Sequence, residues 1–120
     1  MWRFRRIVRR TKNVLRWLPI IWKDEQWDYY YIFEVLKYKL VIMSDEISRA
    51  GNHEMAEYDA SRMRLAVRLI EKVQNEDYLI GMINEDNLTR EMLIAGERKH
   101  FKARRILFKL LENYIERWWD

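Results

Sequence analysis

The stretch Trp17 to Gly51, WLPIIWKDEQWDYYYIFEVLKYKLVIMSDEISRAG, decides the fold class. Pro19 has no amide proton and biases Leu18 away from helical dihedrals, so a helix arriving from the N-terminus is expected to stop there and a new one to start beyond it. Asp24 or Asp28 can cap that new helix. From Tyr29 the apolar residues recur as Tyr29, Ile32, Phe33, Leu36, Leu40, Met43 and Ile47, steps of three and four that share one helical face, and Gly51 closes the pattern. Tyr31, Val35, Tyr38 and Ile42 form a second apolar strip. A helix that is apolar on two sides is central in a bundle or has a face against another subunit.

Working outward, residues 53–75 read as a helix capped by Asn52, with Ala56, Ala60, Met63, Ala66, Val67, Ile70 and Val73 on its main face. The last helix is expected over 97–119, with His100, Ala103, Leu107, Leu110, Leu111, Tyr114 and Trp118 inward. Between them, Gly81, the polar run Asn84 to Asn87 and a short helix over 88–95 read as an irregular connector covering 76–96. Trp17, Trp22, Trp27, Trp118 and Trp119 gather at segment ends, where they are expected to stack and close one end of the bundle. The fold class is therefore all-α: three long helices plus a basic amphipathic N-terminal helix, with residues 1–18 as an arm and 19–120 as one domain. The surplus apolar surface of the 29–50 helix predicts a homo-oligomer.

With 120 residues the chain can bury roughly two thirds of its unfolded surface without a covalent or metal staple. It has no cysteine, which removes disulfides, thiolate metal sites and cysteine nucleophiles. Of 23 basic residues, seven lie within 1–16, where there is no acid; the rest of the chain holds 16 against all 19 acids. Basicity thus belongs to the arm. Its Arg3, Arg5, Arg6, Arg9 and Arg10 oppose an apolar stripe of Phe4, Ile7, Val8, Val14, Leu15 and Leu18. That pattern suits docking on the 29–50 helix, a nucleic-acid contact, or adsorption to a membrane surface. No apolar run is long enough to span a bilayer or to form a secretory leader.

No enzyme signature is present: no phosphate-cradling glycine loop, no nucleophile elbow, no zinc motif. In His53-Glu54-x-x-Glu57, His53 and Glu57 sit one helical turn apart but lack a third ligand, so no metal and no cofactor is expected. The charged groups that helical spacing places beside apolar faces are more informative: Lys39, Asp59, Arg62 and Arg104. They pair internally or reach past their neighbours to water, or else they line a polar pocket in which an anion supplies the missing charge. In the pocket reading Arg62, Arg104 and Lys39 contact phosphate, Asp59 orients Arg62, and Tyr58 lies near a base. In the alternative, DNA or RNA binds the arm together with Arg64, Arg68 and Lys72 and the stripe Arg98, Lys102, Arg105 and Lys109. A third class is a blocker of a host protein through an exposed apolar face.

Four motifs stand out: W-K-D-E-Q-W-D at 22–28, K-L-x-x-M from Lys39, S-R-M-R at 61–64, and L-F-K-L-L-E-N-Y-I-E-R-W-W-D at the C-terminus. In them the chain resembles a family of small proteins encoded by tailed bacteriophages, over most of 17–75 and 100–120. The resemblance implies a protein acting in the bacterial cytoplasm and assigns Trp22, Asp24, Trp27, Asp28, Trp118, Trp119 and Asp120 mainly structural parts. By analogy it also points toward phage proteins that sequester nucleotide signals of bacterial immunity.

Overall fold

Every regular element among the described residues is helical, and no described residue lies in a strand. The computed structural model describes residues 2–51, 54–75 and 90–118. Four α-helices follow in order, α1 (Trp2–Lys23), α2 (Tyr30–Ala50), α3 (Ala56–Asn75) and α4 (Arg90–Tyr114), and a 3₁₀ turn, Ile115–Arg117, closes the C-terminal end. By backbone proximity the chain divides into two units, Met1–Val35 and Leu36–Asp120.

In the first unit α1 runs through Pro19 without a break, correcting the expectation that a helix ends before it. Proline there removes only the hydrogen bond to the Leu15 carbonyl, and Leu15 is exposed, so water can take the freed acceptor. The apolar phase of Leu15, Leu18 and Trp22 continues across the proline. The helix closes at Lys23, where the Asp24 amide donates to the Ile21 carbonyl at 3.1 Å. α2 then starts under Asp28, whose Oδ1 accepts from the Tyr30 amide at 3.0 Å, so of the two aspartates it is Asp28 that caps. Trp22 and Trp27 are 89% and 83% exposed, which corrects the expectation that they stack at a bundle end.

In the second unit the core is drawn from α2, α3 and α4. α2 buries Leu40, Ser44 and Ile47, one stripe at steps of four and three. Ser44 is only 2% exposed, and its hydroxyl donates to the Val41 carbonyl at 3.0 Å, which makes its burial affordable. Tyr29 and Ile32, expected on the core face, are exposed. Ser48 Oγ donates to Glu57 Oε1 at 2.5 Å, holding the end of α2 to the start of α3.

α3 buries Ala60, Met63, Ala66, Ile70 and Val73 as its periodicity predicts, and also Leu69. α4 contributes Ala103, Leu107, Leu110 and Leu111, with Trp118 following. Met63, Ile70 and Leu107 lose all exposure, and each such side chain contributes about 1.5–3 kcal/mol. Tyr58 at the start of α3 touches Tyr114 at the end of α4, so these two helices pack antiparallel. Residues 90–96, expected in the connector, are helical and continuous with α4, and Gly96 is buried inside it. The proposed cap Asn52, His53, the connector over 76–89, Trp119 and Asp120 lie outside the described residues.

Candidate functional site

Antiparallel packing sets the first turn of α3 beside the last turn of α4. Tyr58 and Arg62 are four apart and share one face of α3. On α4 the final turn tightens into the 3₁₀ turn, with the Trp118 amide donating to the Ile115 carbonyl at 3.2 Å. Buried Trp118 anchors that turn, and a three-residue period puts Arg117 on the same side as Tyr114.

The four side chains converge. The tyrosine rings meet edge to face, centroids 6.3 Å apart at 62°, and their hydroxyls are 3.5 Å apart. The Arg62 guanidinium carbon lies 4.9 Å from the Tyr58 ring and 5.3 Å from the Tyr114 ring. That of Arg117 lies 6.0 and 5.8 Å from the same rings. Two cations therefore share one aromatic pair, each within the range of a cation–π attraction. Among the described residues no carboxylate lies within ion-pairing distance of either.

The tyrosines feel this environment in opposite senses. The hydrogen bond shared with Tyr114, and then the one with Arg62, lowers the Tyr58 phenol below its ordinary value of 10.0. Tyr114, as the partner that would face a Tyr58 phenolate, is raised above it. Arg62 and Arg117 both act to lower each phenol, as nearby positive charge should, and Tyr114 rises because it faces Tyr58. An oxyanion brought in from solution would meet the same potential. Each arginine offers a planar fork to phosphate oxygens, and the tyrosine rings offer surfaces for a planar base.

Asp59, on the same turn as Tyr58, is 2% exposed and faces the core, as its spacing predicts. Arg104 is exposed, with its guanidinium carbon 4.7 Å from the Phe101 ring. It stands ten residues before Tyr114, about 15 Å along α4, so the fold does not bring it to Arg62 within one chain. Lys39 is exposed on α2. Arg68 and Lys72 are exposed and Arg64 is half-buried. Arg98, Lys102, Arg105 and Lys109 line an open groove of about 440 Å³ with Phe101 and Ile106 along it. On α1, Arg3, Arg5, Arg6, Arg9 and Arg10 are all exposed, and Arg6 lies 5.5 Å from the Trp2 ring.

A larger groove, about 640 Å³, lies in the first unit and is lined by Asp24, Glu25 and Asp28 beside Trp27, Tyr29 and Ile32. Its three carboxylates repel an anion, so volume is a poor guide here and charge is the better one. Among the described residues no three His, Asp or Glu side chains are grouped to hold a metal.

Arg62 and Tyr58 were legible from their i,i+4 spacing. Arg117 was not singled out by sequence, and Tyr114 read only as a core residue; the one available signal was Tyr114-x-x-Arg117 beside a tryptophan. No protein family, no curated protein and no solved structure matches the chain.

Proposed function

We propose that the protein is a binding protein without turnover that captures an anionic nucleotide, a cyclic oligonucleotide messenger of bacterial anti-phage immunity being the ligand that fits the phage resemblance. The supporting observation is the pair of guanidinium groups, Arg62 and Arg117, over the one tyrosine pair Tyr58 and Tyr114. Phosphate would lie between the two forks, with the base against a tyrosine and Asp59 supporting the turn that carries Arg62. In this reading α2, α3 and α4 are the three long helices of a bundle, α1 is the basic N-terminal helix, and the chain works in the host cytoplasm. Exposed Ile32 and Val35, one turn apart on α2, support a homo-oligomer, in which Arg104 or Lys39 of another copy can complete the phosphate contacts.

Native mass spectrometry of the protein alone and with a panel of cyclic di- and trinucleotides tests this. The expected result is a defined oligomer that takes up one nucleotide per site and loses uptake in Arg62→Ala. No uptake across the panel, or uptake unchanged in folded Arg62→Ala, would sink it.

A second reading, binding of DNA or RNA, is favoured by the groove lined by Arg98, Lys102, Arg105 and Lys109, because aromatic and aliphatic side chains between cations suit a single strand. Deleting residues 1–16 separates the two readings: a nucleic-acid activity that uses the arm falls, whereas nucleotide capture at Tyr58 and Tyr114 is spared.

A further inference from the structure

α1 is 22 residues long and has no buried residue among those described. Its side chains are nonetheless sharply sorted. At 100° per residue, Phe4, Ile7, Val14, Leu15, Leu18 and Trp22 fall within an arc of about 100°, and all six are exposed. The remaining arc carries the basic residues, with Arg3 at its edge: eight Lys and Arg between Trp2 and Lys23, and no acid at all. A stripe of this size, left in water, is the kind of surface that another phase or partner covers.

Charge decides among the candidates. A second copy of α1 laid along the stripe would bring two rows of arginine together with no carboxylate on either helix to offset them. A nucleic-acid duplex would neutralise the arginines but leave the leucines and Trp22 wet. An anionic lipid surface satisfies both sides of the helix: acyl chains take the stripe, and headgroup phosphates take the flanking guanidinium groups, whose stems can reach outward. The helix cannot cross instead, since no helix among the described residues is long and apolar enough to do so.

We propose that α1 is an in-plane membrane anchor that binds anionic phospholipid surfaces, with its Phe4 to Trp22 stripe inserted at the headgroup boundary and its arginines on phosphate. Trp22, on the stripe at its C-terminal end, is the residue type that settles at that boundary.

The test is co-sedimentation of the full-length chain with vesicles, either phosphatidylcholine alone or one part phosphatidylglycerol to two parts phosphatidylcholine. The expected result is pelleting with the anionic vesicles and a partition coefficient roughly hundredfold lower on the neutral ones, as several basic side chains acting together should give. Leu15→Glu/Leu18→Glu, which changes only exposed positions, should lower partition on anionic vesicles by a similar factor while circular dichroism shows the fold retained. Failure of the full chain to pellet would overturn the proposal, as would equal partition of the double variant. If the stripe variant instead dissolves a dimer that forms without lipid, the occupant is a second copy. If vesicles are ignored while duplex DNA binds through the arginines, the arm serves nucleic acid.

Discussion

The Tyr58 hydroxyl at the start of α3 lies 3.5 Å from the Tyr114 hydroxyl at the end of α4, 56 residues away in sequence. This contact follows from the antiparallel packing of the two helices at that end, and it ties the ionisation of the two phenols together.

That link can be read directly. Tyr58 is held below 10.0, first by Tyr114 and then by Arg62, while Tyr114 is held above it by Tyr58. For Tyr58 the lowered value contributes stability above its ordinary value, lost as pH falls through the folded one. For Tyr114 the contribution is present below the ordinary value and lost as pH rises through the folded one. Tyr58→Phe should therefore bring Tyr114 back down toward 10.0, and Tyr114→Phe should bring Tyr58 back up, as followed by tyrosinate absorbance during alkaline titration. Variants that simply lose one ordinary tyrosine from the curve would show that the hydroxyls do not interact.

Arg62 and Arg117 should act together on a phosphate ligand. Truncating either to alanine removes a charged hydrogen-bond donor, a loss of about 1.5–3 kcal/mol, or roughly tenfold to a hundredfold in affinity. Arg62→Lys keeps the charge but not the planar fork and should fall between wild type and alanine. Calorimetric titration with the nucleotide found by mass spectrometry measures all three. An Arg117→Ala variant that binds as well as wild type would place the phosphate elsewhere.

Met63→Ala empties space at a fully buried point of α3 and should destabilise the chain by about 2–5 kcal/mol. Denaturant unfolding checks it, and a loss under 1 kcal/mol, on the scale of a surface change, would mean that α3 is not packed as described.

Gly51 closes α2 where there is no space for a side chain. A Cβ added there would press on the Ile47 carbonyl oxygen and stand 2.8 Å from the Ala56 Cβ. Gly51→Ala should cost about 1–3 kcal/mol through that crowding, seen as a lower thermal midpoint. A midpoint at or above wild type would show that the turn can open without loss.

Asp28→Ala removes the cap on α2. The Tyr30 amide then has only water as partner, and the chain should lose about 1 kcal/mol. Asp24→Ala should be closer to neutral, because it is the Asp28 carboxylate that accepts the helix amide. Equal losses from the two would mean that the cap is shared.

Local rules, read from sequence alone, determined most of the helices and the inward faces of α3 and α4, because a period of 3.6 residues sorts side chains whatever the neighbours are. They also marked Asp59 for burial and placed Tyr58 beside Arg62, since both follow from spacing within one helix. Where a local rule met an exposed surface it misled: Pro19 reads as a stop, yet water can satisfy the Leu15 carbonyl and α1 continues. The connector reads as extending to Gly96, yet α4 begins at Arg90 and runs through it. The meeting of Tyr58 with Tyr114, the arrival of Arg117 over both, and the separation of Arg104 from Arg62 were decided only by tertiary structure. Each depends on the antiparallel register of α3 and α4, a long-range outcome of packing Met63, Ile70 and Leu107 that no periodicity within a single helix encodes.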